Sequence, residues 1–481
     1  MSDLDKTKEL ETKSIGSLLW TYALPAVISQ IIASLYSIAD RIFLGQCVNE
    51  LAIAGLAITM PVMNIIHAFG SLVGVGSSSR MSIVLGRKDV RWAEKILGNS
   101  MLLTFFFGAL FMSAGYLFMD QILGMFGASD ATVGYAGEYM LIVLPGMFLT
   151  TMALNLTGLI RASGYPSKSM WIMVVGALLN IGFDALFIYV LDWGIAGAAW
   201  ATTISMAISA VWAVSHFVSP KSFIRFQRHA WTPKLYIFRN ILLIGMSPFL
   251  MNVAASAVVA LLNSQLVRYG NELMAGGGDL AVGAYGVINT FGSLLVMVII
   301  GICQGMQPIA GYNYGAGHND RLREVFLLAM KVNVLVGTLG AILGCLFPRF
   351  FAGWFTSSAD MLDIAQVAMP YLMVMWSFIG ATITNSNFFQ SIDKPWIAIV
   401  TSLSRQVLFL IPMIYVVPAF YVDHGWEGLT GVWMACTLSD FFGFALAMVL
   451  LYGQRRVFSS DYVAPIHKPR KEHGPSDGER V

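Results

Sequence analysis

Within LNIGFDALFIY, residues 179–189, Asn180 and Asp184 stand four apart inside an apolar run from Met170 to Leu191. On a helix that spacing points both side chains the same way. A carboxylate at membrane depth costs several kcal/mol unless it is neutralised or paired, so its default reading is functional. Asp40, near the far end of the first apolar run, is a second such acid. A local pair with Arg41 is the bland alternative, but adjacent helical residues point about 100° apart. Asp184 lies about 15 residues into its own run, or ~22 Å along a helix. Carboxylate, amide and hydroxyl oxygens together suit Na+, and Thr202 or Thr203 is placed to add the hydroxyl. A proton needs only one carboxylate whose neutral form is favoured by desolvation or by a crowding neighbour. The residue types therefore suit either H+ or Na+, and they ask for no resident cofactor.

The elements that hold these groups are membrane spans. The chain has 481 residues, 57% hydrophobic and 12% charged. Soluble proteins carry about a quarter charged residues. That balance implies an all-α polytopic membrane protein. The net charge of +2 gives no argument for a nucleic-acid partner. Twelve apolar runs meet the spanning length: 16–44, 52–80, 96–118, 137–160, 169–191, 196–218, 239–267, 281–311, 326–347, 364–389, 395–417 and 429–452. Lys and Arg collect in alternate loops, including Arg87, Lys88, Arg91, Lys95, Arg161, Lys168, Arg228, Lys234, Arg323 and Lys394. The positive-inside rule makes those loops and both termini cytoplasmic. Cys47, Cys303, Cys345 and Cys436 are far apart and read as isolated small residues in helices.

The chain repeats. GIAGAAWATTIS (194–205) matches GLTGVWMACTLS (428–439), LAIAGLAI (51–58) matches LAVGAYGV (280–287), and Pro166 and Leu51 recur at Pro395 and Leu280, each 229 residues on. Six spans follow six with the same orientation, a parallel repeat about an axis along the membrane normal. The expected organisation is a cytoplasmic segment 1–15, a first lobe 16–218, a basic loop 219–238, a second lobe 239–452 and a polar tail 453–481. Two matched bundles about a shared axis are an architecture of alternating access. Against an intramembrane enzyme, no HExxH or GxSxG is present, and against an ATP-driven pump, no GxxxxGK[ST] loop is present.

At GICQGMQPIAGYNYGAG (301–317) the sequence resembles the multidrug and toxic compound extrusion (MATE) family, most closely its MepA-like and DinF-like bacterial members. LYSIADRIFLG (35–45), GVGSSSRMSIVLGRKD (74–89), LIRASGYPSKSM (159–170), LNIGFDALFIY and SRQVLFLIP (404–412) carry the likeness from about residue 14 to 455. The resemblance implies two six-helix lobes forming a V in a bacterial cytoplasmic membrane. It implies an antiporter exporting cationic amphipathic drugs or metabolites against inward H+ or Na+. The implied partners are those small molecules and membrane lipids, with the chain a monomer. A flippase for lipid-linked saccharides is the related alternative. Asp40, Asn180, Asp184 and Thr202 match the family's first-lobe cation site, Asn155 matches a further polar position, and Pro25 matches a helix-bend candidate. The second lobe departs from members with acids in the seventh and tenth spans, since neither span here has one. Arg405 and Asp440 are expected to pair structurally, Gln304 and Asn313 to pack or anchor loops, and His67 to be a satisfied core residue.

Overall fold

Apolar runs of this length have one economical conformation in lipid, because every backbone N–H and C=O must be satisfied within the segment. A computed structural model describes residues 3–47, 50–220, 222–459 and 461–463; the side chains of 3–7, 37–42, 44–47 and 50–53 lie outside the description. The first lobe contains α2 (Ile15–Cys47), α3 (Glu50–Gly86), α4 (Val90–Leu117), α6 (Val133–Ala162), α7 (Pro166–Asp184) and α8 (Gly194–Val218). The second contains α9 (Leu235–Leu273), α10 (Gly277–Ala316), α11 (Asn319–Leu346), α13 (Ala359–Met373) with α14 (Trp376–Ser391), α15 (Pro395–Leu403) with α16 (Ile411–Asp423), and α17 (Gly428–Gly453). Short helices α1 (Asp3–Thr12), α5 (Met119–Met125) and α12 (Pro348–Ala352) flank or link them. Among the described residues eleven helices are long and apolar enough to span, and α13 with α14 supplies a twelfth.

The tenth span was expected as one helix over 364–389. Instead it bends by 48° between α13 and α14. The bend follows Pro370 by one turn, as proline kinks do, and the Trp376 indole donates across it to the Leu372 carbonyl at 2.8 Å. The second and third spans also run past their expected limits, to Gly86 and from Val90. Polarity at the basic end had hidden those turns from a hydropathy rule.

The repeat is visible in the backbone. Positive φ recurs at Lys88 and Gly317 and at Gly164 and Asp393, each pair 229 residues apart. Each of the latter two turns is followed, two residues later, by the proline that opens the next helix. The lobes cross through glycines related by the same offset. A Cβ on Gly86 would sit 2.0 Å from the Tyr312 carbonyl oxygen, and one on Gly315 2.0 Å from that of Ile83. Gly76 lies against Ile241 of α9, and its counterpart Gly305 lies against Ala23 of α2. Small residues at such crossings let backbones meet directly.

These crossings lie at the end that carries the basic loops, called here the basic end. On α3 the stripe Asn64, His67, Ser71, Val75, Ser78, Ser82 recurs every three or four residues. Its inner members pack on α10, where Gln307 Nε2 donates to the Val75 carbonyl at 3.3 Å and to Ser78 Oγ at 3.2 Å. Its outer members Asn64 and His67 are exposed, as are Asn252 and Ser256 of α9 and Asn289 and Thr290 of α10. The faces that touch at the basic end therefore part toward the other, leaving a cleft between the lobes. His67 is exposed on this stripe and is not the buried core residue expected, because this part of α3 is left uncovered.

Polar segments at the basic end also fold. Asn99 of α4 grips the 219–238 loop, donating to the Ala230 and Thr232 carbonyls and accepting from Lys234 N–H. Asn313 and Arg321 hold the α1 carbonyl of Leu10, so Asn313 is an anchor. The start of the tail is likewise seated: Phe458 stacks near Phe326 and Phe388, and Asn319 donates to the Ser459 and Tyr462 carbonyls at 2.8 Å.

Candidate cation site and inter-lobe cleft

Asn180 and Asp184 lie one turn apart near the far end of α7, and both are 0% exposed. Counted from Pro166, Asp184 is the last α-helical residue before a π-helical turn, Ala185–Val190. That places it roughly 27 Å from the helix start at ~1.5 Å per residue. π turns often mark functional sites, because the wider turn re-aims side chains. Gly197 allows α8 to approach this turn, its Cβ position lying 3.1 Å from the Phe187 carbonyl.

Of the two adjacent threonines, one bonds to Asn180. Asn180 Nδ2 donates to Thr202 Oγ1 at 3.3 Å. Thr203 Oγ1 instead donates to the Ile142 carbonyl at 3.0 Å and faces α6. With its nitrogen on Thr202, Asn180 leaves Oδ1 buried and without a hydrogen-bond donor. A buried amide oxygen lacking a donor beside a carboxylate is what a hard cation would complete. α2 packs along α7 and its π turn. Asp40 lies on the helical backbone of α2, but its side chain is outside the described residues, as is that of Arg41. Pro25 stands inside α2, with Ser29 Oγ donating to its carbonyl at 2.9 Å. Asn252 makes the same bond to Pro248 in α9 at 2.9 Å. Such back-bonding accompanies helix bends.

Asn155 occupies a different setting. Its Oδ1 accepts from Ser77 at 2.8 Å, and its Nδ2 donates to Ser100 at 3.2 Å and Thr104 at 3.1 Å. It thereby ties α3, α4 and α6 together. Residues 229 further on, Asn333 and Thr384, form the matching bond at 2.7 Å with Cys303 alongside. The asparagine and threonine have exchanged helices between the lobes. A bond kept while its ends are swapped reads as helix–helix glue. Asn155→Leu is therefore expected to cost about 1–3 kcal/mol of stability, because Ser77, Ser100 and Thr104 can fall back on carbonyls of their own helices. Thermal melts in detergent should show this loss, while the ion dependence of residual transport stays unchanged.

Three links across the lobes were not legible as pairs. Arg80 of α3 meets Asp393 at 2.5 Å and Arg161 of α6 donates to Gln304 of α10 at 2.9 Å. Gln307 also reaches Ser79. Asp393 sits where the first lobe has Gly164, so the only sequence signal was a carboxylate at a repeat position that is otherwise glycine. In the second lobe Arg405 and Asp440 do pair, at 3.0 Å.

A family profile described as MatE matches residues 25–186 and 270–416, one match in each lobe and together more than half the chain. The multidrug export protein MepA of Staphylococcus aureus (strain MSSA476) is 23% identical over 448 residues, covering 92% of this chain and 94% of that protein. MepA of Staphylococcus saprophyticus is 21% identical over 442 residues. Among solved structures, a MOP superfamily transporter from Pyrococcus furiosus, described as having a binding pocket of reverse polarity, superposes with a TM-score of 0.84 at 23% identity. It covers 94% of this chain and 98% of that one. An outward-facing multidrug resistance MATE transporter superposes with a TM-score of 0.83 at 23% identity, with the same coverage. At these identities the structures speak to the fold alone. The duplicated spans, the lobe crossings and the profile match in both halves agree: the chain belongs to the MatE family, whose members are multi-pass membrane transporters and not enzymes.

Proposed function

We propose that this transporter exports cationic amphipathic drugs or metabolites and is driven by inward H+ or Na+ bound at Asp184, Asn180, Thr202 and Asp40. The observation that carries the reading is the buried Asn180–Asp184 pair, with an amide oxygen that lacks a donor. In this reading the basic end is cytoplasmic and the cleft opens outward. The substrate occupies the cleft, where Asn64, His67, Asn252 and Asn289 offer polar contacts among apolar walls. Asp184 binds the ion and Asn180 lends its amide oxygen. Pro25 lets α2 bend between the ion cluster and the crossing at Ala23. Coupling then requires the ion and the substrate to prefer different lobe arrangements.

The test is efflux of a cationic dye from proteoliposomes under a pH gradient alone, a sodium gradient alone, or neither. Efflux is expected with at least one gradient and none without. Gradient-independent efflux, or efflux that needs ATP, would overturn the reading.

A further inference from the structure

A short segment leads into the first helix of each lobe, α1 into α2 and the 219–238 loop into α9. Each segment is gripped by the lobe opposite to the helix it leads into. Arg321 of α11 donates through Nη2 to the Leu10 carbonyl at 3.1 Å and to the Lys13 carbonyl at 2.6 Å. Asn313 of α10 steadies that guanidinium, accepting from its Nε at 3.2 Å. Leu10 is 1% exposed, and Glu11 meets His318 at 3.9 Å. Glu11 also lies 3.6 Å from Lys88 of the first lobe, but that pair is exposed and contributes little. α2 begins at Ile15, two residues beyond the last gripped carbonyl.

The 219–238 loop mirrors this on the first lobe. Asn99 of α4 donates to the Thr232 carbonyl at 3.1 Å and accepts from the Lys234 N–H at 2.9 Å. Gly98 leaves room for the Ala230 backbone, and His229 meets Glu94 at 3.1 Å. α9 begins at Leu235, the very next residue after the grip. The two gripping helices are repeat counterparts: α4 opens at Val90 and α11 at Asn319, 229 residues on. Their gripping side chains are not counterparts. Arg321 answers to Trp92 and Asn99 to Leu328. One arrangement is therefore built twice from unmatched residues, which duplication alone does not produce.

We propose that α1 and the 219–238 loop are a pair of crossed straps. Each ties the start of one lobe's first helix to the third span of the other lobe, with at most two residues of slack. Parting the lobes at the basic end must stretch or break both ties. The straps thereby hold that end shut and set how often it opens.

The experiment places a cysteine at Ser82, which is 1% exposed and lies against Gly311 where α3 crosses α10. Its reaction with a membrane-impermeant maleimide is followed on the full chain in nanodiscs. The protein without the added cysteine gives the background of the four native ones. Reaction requires the crossing to open, so its rate tracks the open population. Arg321→Gln removes charge-assisted bonds from one strap and is expected to speed labelling about tenfold to a hundredfold. Asn99→Ala loosens the other strap and is expected to speed it about tenfold. The double variant should give the product of the two factors. Gly-Ser-Gly-Ser inserted between Lys13 and Ser14 keeps every α1 contact but adds roughly 13 Å of slack. A flexible tether of that length no longer restrains the lobes, so labelling should match Arg321→Gln within about threefold. Faster labelling in Arg321→Gln with no change in the insertion would reduce α1 to packing and overturn the proposal. So would unchanged labelling in either single variant, or a lower melting temperature with no change in labelling.

Discussion

Asp184→Asn is expected to reduce gradient-driven efflux at least about a hundredfold while leaving the protein inserted and monodisperse. Moving a two-state equilibrium from 1:99 to 99:1 takes a ligand that prefers one state by roughly 10⁴. An amide at 184 can neither take up a proton nor balance a sodium ion, so that preference disappears with the carboxylate. The fold should not suffer, since Asp184 is 0% exposed and removing a buried charge relieves desolvation. Thermal melting at or above the unaltered value, together with lost efflux, is the expected pair of results. Asn180→Leu then separates the ions. It removes the amide oxygen and, with it, one sodium ligand, so a sodium-driven carrier should need about tenfold more Na+, on the scale of losing one good polar contact. A proton-driven carrier keeps its carboxylate and should show little change in its pH dependence. Full efflux from a protein with asparagine at both 40 and 184 would sink the ion-site assignment.

Much of this site was legible because its grammar is local. Asn180 and Asp184 share a helix face by spacing alone, and an acid inside an apolar run stands out without a partner in view. The choice between Thr202 and Thr203 was not legible, since neighbours on a helix point about 100° apart and it is the α6 carbonyl of Ile142 that claims Thr203. Asn155 stood as a site candidate because it matches a polar position of the family the sequence resembles. Only its three hydroxyl partners, and the swapped pair Asn333–Thr384, show what it ties together. His67 reads as core in any single helix. It is exposed because this part of α3 is left uncovered, a fact that belongs to the assembly and not to the helix alone. The π turns at Ala185–Val190 and Ser404–Leu410 leave no mark in composition, yet they set where Asp184 and Arg405 stand. The link from Arg80 to Asp393 spans 313 positions and joins the lobes, beyond the reach of periodicity. Fold class, by contrast, follows from apolar run length and a repeat offset, both of which survive without any knowledge of contacts.

Gly86→Val together with Gly315→Val is expected to drive the lobes apart at the basic end and to close the cleft at the other. Each added Cβ would begin 2.0 Å from a backbone oxygen of the opposing helix, Tyr312 for one and Ile83 for the other. Backbone cannot swing aside as a flexible side chain can, so the crossing itself must open. Overpacking costs about 1–3 kcal/mol per site, and two sites on one crossing act on the same movement. At 1.4 kcal/mol per tenfold, the population with a closed basic end should fall roughly 30-fold or more. Spin labels at Asn64 and Asn252, exposed and on opposite lobes, give the readout: the long distance of the open cleft should give way to a shorter one. Efflux should fall with it, because a carrier held in one arrangement cannot cycle. Gly134→Val is the control, as its Cβ position has nothing within 4 Å. The glycine crossing constrains access only if the distance shifts in the double variant and not in the control. An unchanged distance with normal efflux would mean that α3 and α10 absorb the bulk locally, and that the closed basic end is held instead by Arg80–Asp393 and Arg161–Gln304.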